Sequence, residues 1–138
     1  MSYQYEVQLA ATPEDVLAAL TTSEGIAGWW AKSNSIRQEN SNELLSVDFG
    51  RVKKLMRVRL TNPGLGLTWD VLECTLREWP GTRITFDLTS SSACGCFLKL
   101  EHIGLVPQLE CYESCSTGWA HFMSSLKQFV ETGKGTPL

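Results

Sequence analysis

Five cysteines, two histidines and a tight run of basic residues are the parts of this 138-residue chain that could do chemistry. Cys94 and Cys96 stand two apart, which puts both thiols on one face of a strand. Cys111 and Cys115 stand four apart, which does the same on a helix. Four converging thiolates would suit zinc, but none of these spacings is the two-residue knuckle of a structural zinc site. Cysteine is also a common small buried residue. Cys74 makes the set odd, and Met1 to Leu9 has neither a basic n-region nor a long apolar run, so it does not read as a secretory signal. The expectation is a cytoplasmic protein with reduced, buried thiols, no disulfide framework, no metal and no cofactor.

His102 is more informative. It follows Leu98 and Leu100 at a period of two, so it is expected to face inward. An inward imidazole could donate to a ligand carbonyl or act as an acid or base near neutral pH. The same position equally suits a neutral histidine bonded to a carbonyl or hydroxyl, and no acid or nucleophile stands at a recognisable spacing from it. His102 is therefore the one catalytic candidate, and no catalytic residue is assigned. His121, two positions past Trp119, is expected at the surface. Asp70 is expected to face away from Trp69 unless a bulge intervenes, and Glu101 faces outward, so no carboxylate pair is expected. Arg51, Lys53, Lys54, Arg57 and Arg59 are five of the twelve basic residues. They read as a strand edge kept soluble by charge, with Lys53, Arg57 and Arg59 opposite Met56 and Val58.

The elements that must position these residues follow from periodicity. Tyr3, Tyr5, Val7 and Leu9 alternate with polar neighbours, a half-buried strand. Thr12-Pro13-Glu14-Asp15 is a helix start, and a second short helix is expected over about Ser23 to Trp30, where Gly25 and Gly28 weaken it. From Asn42 a run of five strands follows, carried by Leu45/Val47/Phe49, Met56/Val58/Leu60, Leu67/Trp69/Val71, Ile84/Phe86/Leu88 and Cys94 to His102. Turns are expected at Gly50-Arg51, Asn62-Pro63-Gly64, Trp79-Pro80-Gly81 and Ser90-Ser91-Ser92. The short connections make the run an antiparallel meander. Leu109, Tyr112, Cys115, Trp119, Phe122, Met123, Leu126, Phe129 and Val130 form one apolar stripe on a closing helix of five or six turns, with Pro107 in its first turn and Gly133 as its stop. The fold class is α+β, with about six strands and a long C-terminal helix covering one sheet face.

Composition bounds the function. Hydrophobic residues are 43% and charged residues 20%, which is globular, and a net charge of −3 argues against a general nucleic-acid binder. No stretch approaches the ~18 or more apolar residues of a membrane span. Residues 1–138 read as one domain.

The chain resembles the START-like (SRPBCC, helix-grip) superfamily, and within it homologues of the activator of the heat-shock protein 90 ATPase. The residues that carry the likeness are Leu20-Thr21-Thr22 through Gly28-Trp29-Trp30, Leu67-Thr68-Trp69, Arg83 to Leu88, Leu98 to Gly104, Gly118-Trp119, Leu126, Phe129-Val130-Glu131 and Gly133. The resemblance implies a curved sheet gripping the last helix, with a central cavity that holds an apolar or amphipathic small molecule. The cavity is expected to be lined by Trp30, Trp69, Phe86, Leu88, Leu98, Leu100, His102, Trp119, Phe122 and Met123. Trp29-Trp30 is either a lid on its mouth or a staple holding the short helices to the sheet. Ligand binding is the function expected. The alternatives are a cyclase- or hydrolase-type cavity enzyme using His102, and an interaction protein like the chaperone activator.

Overall fold

Thr12 starts the first helix as its neighbours require. Its hydroxyl accepts the Asp15 N–H at 3.2 Å and Pro13 takes the first helical position. The computed structural model describes residues 2–61, 65–92 and 95–138, so the expected Asn62-Pro63-Gly64 turn and Cys94 lie outside the described residues. The elements run β1 (Ser2–Leu9), α1 (Pro13–Thr21), α2 (Ser23–Trp29), β2 (Ser33–Glu39), β3 (Asn42–Asp48), β4 (Lys53–Leu60), β5 (Gly66–Cys74), β6 (Arg83–Ser92), β7 (Gly95–Ile103) and α3 (Tyr112–Thr132). All strand pairs are antiparallel, in the order β1-β7-β6-β5-β4-β3-β2.

The described residues hold seven strands rather than six. The additional one, β2, carries Ile36 as its one apolar residue in Ser33–Glu39 and sits at a sheet edge, so it shows no apolar alternation. What creates it is the hairpin: Asn40 and Ser41 both adopt positive φ, 51° and 68°, the primed turn that suits a two-residue connection to β3. A second correction follows from the order. β4 lies between β3 and β5, so its basic residues are not on a strand edge. Ser90–Ser92 is also not a turn; β6 runs through Ser92, held by pairing to Cys96 and Gly95 of β7.

Two glycines that weaken α2 are required by its packing. A Cβ at Gly25 would stand 2.5 Å from the Ala18 carbonyl oxygen, and one at Gly28 would stand 2.2 Å from the Phe129 ring of α3. Trp29 donates its indole N–H to Ala19 at 2.8 Å, and Ser125 of α3 donates to the Trp29 carbonyl at 2.7 Å. The short helices are thereby fastened to the long one.

Helix α3 buries Cys115, Trp119, Met123 and Leu126 at steps of four, four and three. Gly133 ends it in the left-handed region with its N–H on the Phe129 carbonyl. Pro107, expected in the first turn, instead precedes the helix. The helix start is set by Glu78 of the β5–β6 connection, whose carboxylate accepts the N–H groups of Glu110 (3.2 Å) and Cys111 (3.0 Å). That contact ties the connection to the helix and shapes the site below.

Candidate functional site

One end of the sheet carries the β3–β4 turn, the β5–β6 connection and the first three turns of α3. Between them lies a recess of about 280 Å³. Its walls are mostly apolar: Trp30, Phe49, Val52 and Leu76, then Trp79, Trp119, Phe122 and Leu138. Lys54, Ser114 and Cys115 are the polar side chains among its lining residues. That is the make-up of a small-molecule site, a few polar groups on an apolar wall.

The tryptophans of this wall belong to a larger array. Trp30 stacks on Trp69 at 5.1 Å and on Trp119 at 6.1 Å, Trp119 stacks on Trp79 at 6.1 Å, and Trp29 flanks Trp30 and Trp69. All five tryptophans of the chain join this one array. Trp30 is fully buried, so it forms a fixed wall of the recess.

Lys54 is the unusual member. Along β4 the residues Lys54, Met56 and Val58 are buried in alternation with the partly or fully exposed Lys53, Leu55, Arg57 and Arg59, so Lys54 shares the core face. It is 8% exposed, and its Nζ lies 3.3 Å from the centre of the Trp79 ring. Among the described residues it has no hydrogen bond and no carboxylate partner. Burial lowers its pKa to about 8. A bulge in the β4–β5 ladder at Leu72 puts Cys74 opposite Lys54, and the thiols of Cys74, Cys111 and Cys115 are near enough to act on its charge. Burial raises the Cys74 thiol and pushes Cys111 up to about 12. Cys115 accepts the Trp79 indole N–H at 3.2 Å.

His102 lies behind this wall with no exposed surface. The Trp119 indole can only donate, so His102 Nδ1 accepts from it at 3.0 Å and the proton resides on Nε2. Nε2 then donates to Thr82 Oγ1 at 2.9 Å, which donates on to the Trp79 carbonyl at 2.6 Å. Burial, then the Lys54 charge, lowers its pKa to about 3. The ring is neutral and both nitrogens are engaged.

Of the ten residues expected to line a cavity, Trp30, Trp119 and Phe122 line the recess. Trp69, Phe86, Leu88, Leu98, Leu100, His102 and Met123 are buried and do not. Phe49, Lys54, Leu76 and Trp79 are lining residues that the sequence reading did not select. The strand parity of Lys54 with Met56 and Val58 was a signal that could have found it. Cys96 is buried near Glu14 of α1, whereas Cys111 and Cys115 stand at the start of α3 beside Cys74. Among the described residues no three His, Cys, Asp or Glu side chains are grouped to hold a metal ion. His121 is exposed.

On the opposite sheet face, Asp70 accepts from Arg59 (2.6 Å), Arg83 (3.0 Å) and Arg57 (3.1 Å). The bulge falls beyond Asp70, so Trp69 faces the core and Asp70 the outside, as alternation predicts. Its pKa is held down at about 2, first by the Arg59 hydrogen bond.

No protein-family model and no curated protein matches the chain. Solved structures do. The Aha1 dimer from Colwellia psychrerythraea matches with a TM-score of 0.84 and 26% identity, over 98% of this chain and 99% of that one. A START superfamily protein from Mycobacterium smegmatis matches at 0.74 and 13% identity, over 94% and 96%. DynU16, from the dynemicin biosynthetic locus, matches at 0.73 and 21% identity, over 97% of this chain and 48% of its own. Among the described residues no helix is long and apolar enough to cross a membrane. Seven antiparallel strands, two short helices after the first and a long last helix thus form a START-like fold, and over nearly its whole length the chain is similar to Aha1.

Proposed function

We propose that the chain is a single-domain binding protein that takes one small apolar or amphipathic molecule into the recess at the start of α3. The observation that carries this is Gly118. A glycine inside a helix costs about 1 kcal/mol relative to alanine. Gly118 lies in the second turn of α3, inside the helix and on the recess wall, and a Cβ built there would meet nothing within 4 Å. Packing therefore does not require the glycine. An open floor under a bound molecule does explain it. The recess borders the buried apolar cluster, and its own wall is mostly apolar, which suits an apolar or amphipathic occupant.

A catalytic role for His102 has less support, because both ring nitrogens are bonded within the protein and the ring does not line the recess. An interaction role on the outer surface rests on the likeness to Aha1 alone.

The test uses the neutral fluorescent probe N-phenyl-1-naphthylamine. Saturable binding at one site per chain is expected, weakened at least tenfold in Gly118→Leu. The helix-favouring substitution should leave the thermal midpoint unchanged or higher. Absence of saturable binding, or equal binding by Gly118→Leu, overturns the reading.

A further inference from the structure

Lys54 specifies more than an apolar occupant. A buried charge is ordinarily paired, because an isolated one loses its hydration without compensation. Lys54 is more than nine-tenths buried, lines the recess, and among the described residues has aromatic faces as its neighbours instead of an anion: Trp79 at 3.3 Å, Trp30 at 5.7 Å and Phe49 at 5.8 Å. The titratable groups that interact with its charge are the thiols of Cys74, Cys111 and Cys115 and the neutral ring of His102, none of them a carboxylate. Lys54 also borders a second hollow with Arg37, Lys53 and Glu73, and among the described residues Glu73 makes no ion pair with it. The same neighbourhood has unused donors: the indole N–H groups of Trp30 and of Trp69, stacked on it, are buried without a hydrogen-bond partner. Lys54 therefore offers a positive charge to the recess with no anion opposite it among the described residues, and a bound molecule can supply one.

We infer that the recess recognises a monoanionic amphipath, a carboxylic acid with an aromatic or aliphatic body, its carboxylate on Lys54 and its body against Trp30, Trp119 and Phe122. This rests on the binding reading above and adds the charge of the ligand. A bound carboxylate favours the charged amine, so the acid binds best where Lys54 is protonated. Its affinity falls as pH rises through about 8, where the free protein releases that proton.

The experiment compares 2-naphthylacetate with 2-(2-naphthyl)ethanol, bodies alike and charge different, by isothermal titration calorimetry. At pH 7 the acid is expected to bind at least tenfold more tightly than the alcohol. Lys54→Met, which keeps the length and removes the charge, abolishes that preference, read as the ratio of the two affinities in the same variant. In the unmodified chain the acid weakens several-fold between pH 7 and 9.5, takes up protons on binding near pH 8.5, and the alcohol does neither. The pH series needs no variant to fold. Equal binding of acid and alcohol, or a preference that survives in Lys54→Met, overturns the inference while N-phenyl-1-naphthylamine binding keeps the parent reading standing. Failure of all three probes overturns both.

Discussion

The two faces of the sheet treat charge in opposite ways. On the outer face Asp70 has three guanidinium partners and is held ionised, well below the usual carboxylate range. On the inner face Lys54 and His102 are desolvated, and both are pushed toward their neutral forms. β4 contributes to both, through Arg57 and Arg59 on one side and Lys54 on the other. Asp70 shows that this fold can supply several partners to one charge. Lys54 has none among the described residues, and that contrast is what marks it as a binding group rather than a structural one.

The contrast can be tested most strongly at acid pH. His102 is neutral in the fold down to about 3 but protonates at an ordinary pKa once unfolded. The unfolded chain then binds more protons, so stability falls as pH drops below 6.5, by about 3 kcal/mol at pH 4. Urea denaturation across pH 4 to 7 should show this limb in the unmodified chain, and His102→Gln should flatten it. A limb that persists unchanged in the variant assigns it elsewhere.

Lys54 acts on the alkaline side. Its folded pKa is about 8 against 10.5 unfolded, so the cost of the buried charge is fully present at neutral pH and stability rises from pH 8 toward 10.5. Lys54→Met should gain about 2 kcal/mol at pH 7, with the gain shrinking below about 1 kcal/mol at pH 10. A loss at pH 7 would make Lys54 a structural residue and dissolve the comparison.

The smallest of these effects is on the outer face. Asp70 contributes stability above its unfolded pKa of 3.8 that is lost as pH falls toward about 2. The arginines are 39–54% exposed, so solvent screening limits the contribution of the cluster to about 1–2 kcal/mol. Asp70→Asn should be weaker by that amount at pH 7 and indistinguishable at pH 2 in chemical denaturation. An equal loss at both pH values would mean that hydrogen-bond geometry, not charge, holds the cluster.

Periodicity made the helices and six of the strands legible, since each buries a regular set such as Met56/Val58 or Cys115/Trp119/Met123. β2 was not legible, because an edge strand paired through its backbone needs little apolar pattern. The same alternation that placed Met56 and Val58 inward also places Lys54 inward. Its charge and its basic neighbours concealed this. The Asp70 cluster depends on register, which sets Arg57 on one side of Asp70 and Arg83 on the other; spacing along the chain does not show it. The meeting of Cys74 with Lys54 depends on a one-residue bulge, and Trp79 reaches the recess from a connection whose path is set by its hydrogen bonds. Sites built from loop ends and bulges are read from the fold, and rarely from the pattern that makes it.

The stacked tryptophans have an optical consequence. Five indoles with neighbouring centres 5.1–6.5 Å apart and planes within 20° of one another are not independent chromophores. Their transition dipoles interact, so the near-ultraviolet circular dichroism of the chain is a property of the whole array. At these separations excitation absorbed by one indole passes readily to its neighbours in the array. A molecule resting on the members of that array that wall the recess would therefore alter the emission of all five, and the protein carries its own label for whatever it binds.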